Sequence, residues 1–147
     1  MKKKIFKYKF VYWLIFILSI FLFISFSVGV NSRIETDNFE NVIDKISFTA
    51  IVLISTLSLI SLVMLIFKNR TAVIIFSTVL ILIFMTISFF IIYSILIEKD
   101  FGVNSWDYYT ALAMYLIIFG LLFIVNYYKY QESFSDYEIE EIGKVKN

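Results

Sequence analysis

The chain has 147 residues, 61% of them hydrophobic and 17% charged, with a formal net charge of +1 and a mean hydropathy of +0.87. A soluble domain of this length has too little interior to hide so much apolar surface, so lipid is the expected second solvent. Cys, His and Pro are absent. That excludes thiol nucleophiles, disulfides, Cys/His metal or haem ligation, and proline-kinked helices.

Lysine outnumbers arginine 11 to 2 and alanine is scarce, a bias that resembles AT-rich coding. The expected setting is the plasma membrane of a low-GC bacterium.

The first nine residues carry Lys2, Lys3, Lys4, Lys7 and Lys9, and residues 10–30 follow without a charge. The apolar run is about 21 residues, against about 7–15 for the core of a secretory signal. Ser27-Val28-Gly29 is a tolerable small-x-small cleavage match, but the length favours an uncleaved first transmembrane helix. Tyr8, Tyr12 and Trp13 serve as its interfacial anchors. Ser25 and Gly29, four apart, form a small-xxx-small patch for helix packing.

Residues 31–45 form an outer loop that includes the start of helix two. Asp37 and Glu40 have the spacing of a capping box with Asp at the cap. Phe39, Val42, Ile43 and Ile46 recur at helical spacing, with Asp37, Glu40, Asn41 and Asp44 on another face. This helix is expected to begin near Asn38, outside the membrane. Glu35, Asp37, Glu40 and Asp44 are candidates for contact on the outer surface. A calcium loop needs alternating oxygen ligands and a Gly turn. This stretch has neither, so no metal is expected.

Two long apolar runs, 46–67 and 71–97, are separated only by Lys68, Asn69 and Arg70. About 20 apolar residues cross the ~30 Å hydrocarbon core, so the pair reads as a tight transmembrane hairpin. The third helix exceeds that length and should tilt or project. In helix two, Ser47, Ala50, Ser58 and Ser61 fall on one side at ~100° per residue, with Ser55 at the edge. Small and hydroxyl residues in lipid mark close helix contact, within one bundle or with a partner. A polar strip along a pore is the competing reading. Thr78, Thr86 and Ser88 of helix three share no single face.

Residues 98–107 form the second outer loop. Gly102 can end helix three, and Asn104 or Ser105 can cap helix four. Trp106, Tyr108 and Tyr109 read as an interfacial aromatic belt, or as an outer contact surface. Helix four covers 108–128, where Ala113 and Gly120, seven apart, share a face that another helix can approach. The tail, 129–147, is mixed and mostly acidic, without a clean apolar stripe.

Lys2, Lys3, Lys4, Lys7, Lys9, Lys68, Arg70 and Lys129 fall on one side of four spans, and Arg33, Lys45 and Lys99 on the other. The positive-inside rule therefore predicts cytoplasmic termini and a cytoplasmic hairpin tip. The basic side would also meet anionic headgroups.

No Asp, Glu, Lys or Arg lies inside any of the four runs. Ion-coupled transporters, intramembrane enzymes and voltage sensors commonly place such residues there. No Gly-rich filter, GxSxG, HExxH or phosphate loop is present. The expected fold class is an all-α integral membrane protein with four transmembrane helices and both termini cytoplasmic. The expected function is non-catalytic, exercised by protein–protein interaction in the bilayer. An accessory subunit of a transport or secretion complex fits, as does an immunity-type protein against a membrane-active toxin. A small transporter or channel working as an oligomer is the alternative, and a lipid-directed enzyme ranks last. The expected partners are the lipid bilayer and another membrane protein or a second copy, with no cofactor, metal or nucleic acid.

Overall fold

The computed structural model describes residues 5–36, 41–98 and 105–129. These residues are all-helical, in the order α1 (Lys9–Thr36), α2 (Val42–Ile66), α3 (Thr71–Tyr93) and α4 (Ser105–Tyr127). A five-residue π-helical turn, Ser94–Glu98, extends α3. All four helices are long and apolar enough to cross a membrane, over stretches of 22 to 27 residues. Many of their residues are β-branched or aromatic, which are indifferent helix formers in water. In lipid the backbone has no alternative partner, and the helix satisfies every N–H and C=O internally. The expected start of helix two near Asn38, the Asp37–Glu40 pair, Gly102 and Asn104 lie outside the described residues. So do Lys2, Lys3, Lys4, Lys99 and the tail beyond Lys129.

The α2–α3 turn is built from the three residues Lys68, Asn69 and Arg70. Lys68 has φ of 52°, the left-handed conformation that ends a helix. The Lys68 N–H donates to the Leu65 carbonyl (3.0 Å) and the Asn69 N–H to the Met64 carbonyl (2.9 Å). Those two bonds make a Schellman closure with lysine where glycine is usual. The Asn69 side-chain oxygen then accepts from the Thr71 N–H (3.0 Å) and hydroxyl (2.9 Å), ordering the first turn of α3.

Helices adjacent in sequence pack side by side. The α1–α2 contact is the most extensive, α2–α3 follows, and α4 lies on α3 and meets α1 more sparsely. The central element is α2, with 28% of its most apolar stretch buried against 6–11% in the other three. We call the end with the α2–α3 turn the base and the opposite end the crown.

The core is concentrated at the base, where Ile15, Leu65, Val73, Phe76, Leu80 and Val125 meet. Residues 5–8 seal it from below. Ile5 and Phe6 are buried, and the Lys7 N–H donates to the Tyr128 carbonyl at 3.0 Å. Phe6 pairs with Lys129 in an isolated antiparallel bridge, and the Tyr8 and Tyr128 rings meet edge-on at 5.6 Å. Toward the crown the packing loosens: none of residues 81–97 or 106–117 is buried.

Candidate functional site

The most polar internal surface is the seam between α1 and α2. Three contacts mark its register from base to crown. Tyr12 donates its hydroxyl to the Leu65 carbonyl at 3.2 Å. Ser27 and Ser55 share a hydrogen bond of 3.0 Å. Arg33 pairs with Asp44 at 3.3 Å, both side chains partly exposed. Gly29 faces α2, where a β-carbon would come within 3.5 Å of Ile51.

Ser55 is buried on this seam, and Ser47, Ser58 and Ser61 of α2 and Ser19 of α1 are buried as well. By the same antiparallel register, Ser19 stands level with Ser58 and Ser61. Among the described residues, the hydroxyl oxygens of Ser19, Ser58 and Ser61 have no hydrogen-bond partner. A buried serine is tolerated here for its small volume, which lets backbones approach closely. Its hydroxyl gains little, because an unpaired polar atom is costly in an apolar interior.

The remaining small residues lie elsewhere. Ala50 is half-buried and lines a groove between α2 and α3. Ser25 is exposed. Ala113 and Gly120 of α4 are exposed too, and a β-carbon on Gly120 would meet nothing within 4 Å. The small residues therefore divide between one surface covered by the protein's own helices and others left bare.

At the crown, Glu35 accepts from the Asn31 side chain at 2.7 Å, and Asp44 is held by Arg33. Trp106, Tyr108 and Tyr109 are exposed, and the Trp106 and Tyr109 rings meet edge-on at 6.3 Å. Asp37 and Glu40 lie outside the described residues. At the base, Lys7 sits over the Tyr8 ring at 5.7 Å, and Lys9, Lys68, Arg70 and Lys129 are exposed around it. Among the described residues, no three carboxylates come together as a metal-binding group.

Contacts across α3 and α4 add polar pairs that residue spacing does not reveal. Ser88 and the Tyr115 hydroxyl share a bond of 3.0 Å, with Phe84 packed on the Tyr115 ring. Asn126 donates to Ser77 at 3.3 Å and to the Leu122 carbonyl at 2.9 Å. Ser19 is equally silent in sequence: a hydroxyl in an apolar run gives no sign of what it faces.

Compared with known proteins, the chain matches no family model, and no curated protein or solved structure is similar to it.

Proposed function

We propose that this chain is a non-catalytic multi-pass protein of the plasma membrane that works by binding a membrane protein beside it. Its base faces the cytoplasm in this reading, which the lysine and arginine distribution supports. An accessory subunit of a transport or secretion complex and an immunity-type protein both fit this role.

The observation that carries the reading is the bare small-residue face of α4. In lipid, where apolar side chains gain nothing from meeting each other, glycine and alanine promote association by letting backbones come close. The serines Ser47, Ser55, Ser58 and Ser61 of α2 are already buried within the four helices, whereas Ala113 and Gly120 remain exposed. The four apolar runs carry no Asp, Glu, Lys or Arg, which suits a protein that recognises shape rather than moving ions.

The chain has no cysteine, so single cysteines report proximity without background. Ala113→Cys and Gly120→Cys are expected to crosslink in native membranes to one defined membrane protein, and Ser58→Cys to none. If all three variants remain monomeric and uncrosslinked, the α4 face is not an interface and the proposal fails. If the purified chain instead supports ion or solute flux in vesicles, the oligomeric channel is the correct reading.

A further inference from the structure

Between α2 and α3, in the crown half, runs a groove of about 390 Å³. Its walls are apolar, with Val42, Ile46, Ala50, Leu53 and Ile54 from α2 and Leu82 from α3. Two threonines also line it, but neither offers a free proton. Thr49 donates to the Lys45 carbonyl at 2.8 Å, and Thr86 to the Leu82 carbonyl at 2.8 Å. Lys45 stands at one end. Its ammonium makes no ion pair among the described residues, since neighbouring Asp44 is held by Arg33.

Three properties select the occupant. At ~1.5 Å per helical residue, the stretch from Ile46 to Ile54, inside the apolar run, covers about 12 Å, a little under half of the ~30 Å hydrocarbon core. The groove thus runs from one membrane interface to near the midplane, the depth of a single leaflet. Its volume of about 390 Å³ is that of a small-ligand cleft. Its chemistry is hydrocarbon along the walls with one cation at the interfacial mouth.

We infer that this groove holds one acyl chain of an anionic phospholipid in the outer leaflet, with the headgroup phosphate on Lys45. The inference rests on the membrane-spanning reading above. It assigns α2 two contacts: Ile51 and Ser55 toward α1, and an acyl-chain groove shared with α3.

The test uses the full-length chain, taken first through carbonate extraction of membranes and then through native mass spectrometry with added phosphatidylglycerol or phosphatidylcholine. Wild type is expected to retain one phosphatidylglycerol in about fivefold preference to phosphatidylcholine, the factor expected of one lysine near anionic lipid. Lys45→Gln should bring the two lipids level, and Lys45→Arg should keep the preference. Ala50→Phe, which fills the groove, should lose the bound lipid of either kind. Equal retention by wild type, or phosphatidylglycerol kept by Ala50→Phe, overturns the inference. A second copy crosslinked at Ala50→Cys overturns it as well, because the groove would then be an interface. Release of the chain into the carbonate supernatant defeats the membrane-spanning reading itself. Pelleting without lipid preference defeats the groove assignment alone.

Discussion

Tyr12 donates its hydroxyl to the backbone carbonyl of Leu65 at 3.2 Å, joining the first turns of α1 to the last turn of α2. The last carbonyls of a helix have no partner within it. This one also accepts the Lys68 N–H at 3.0 Å. Because it keeps that donor, Tyr12→Phe is expected to cost only about 0.5–1 kcal/mol, the low end for a lost hydrogen bond. Thermal unfolding in mild detergent measures the difference. A loss above about 2 kcal/mol would mean that the carbonyl was left unpaired, contrary to this geometry.

The turn that follows gives two substitutions of opposite sign at adjacent residues. Lys68 has φ of 52°, a conformation that costs a residue with a β-carbon about 1–2 kcal/mol. Lys68→Gly should therefore stabilise the protein by about 1 kcal/mol, after part of the gain is offset by the freer unfolded chain. Asn69→Ala removes both bonds to Thr71 and should destabilise by about 1 kcal/mol, as the loss of a helix cap does. Melting temperatures that move in the same direction for the two variants would contradict the turn described here.

The number of helices and the turn at Lys68 could be read directly, because apolar run length and a polar break depend only on neighbours in sequence. The small-residue side of α2 was equally visible as periodicity. What covers it was not: periodicity defines a face but names no partner, and Ser58 and Ser61 look alike whether they meet α1 or a foreign helix. Ala113 and Gly120 show the same ambiguity with the other outcome, since α4 leaves them bare. The Ser88–Tyr115 and Asn126–Ser77 bonds depend on how far α3 slides along α4, and no local pattern encodes that distance. The groove at Lys45 is hidden for a related reason, because Leu82 and Thr86 reach it from a different helix.

The orphan hydroxyls of α2 set up a comparison between deletion and enlargement. Ser58 and Ser61 are 1% and 0% exposed, and neither hydroxyl has a partner among the described residues. Replacing either with Ala removes a buried unpaired polar atom and leaves the close approach intact, so stability should hold or rise by up to about 1 kcal/mol. Ser61→Leu forces extra volume into a fully buried position and should cost about 1–3 kcal/mol. Detergent melts of the three variants decide the matter. A stable Ser61→Leu protein would show that the position is not packed.

The register of the α1–α2 seam can be tested covalently. A β-carbon at Gly29 would lie 3.5 Å from a methyl of Ile51, so β-carbons at the two positions fall near the ~3.5–4.5 Å that a disulfide spans. With no native cysteine to compete, the double variant Gly29→Cys, Ile51→Cys should close on mild oxidation into a monomer of faster electrophoretic mobility. Moving the second cysteine to Leu53 is the control. Leu53 is exposed and lines the groove toward α3, so Gly29→Cys with Leu53→Cys should stay reduced. Equal closure of both pairs would mean that α2 rotates freely against α1. Neither the buried serines nor the groove would then have a fixed face on which to act.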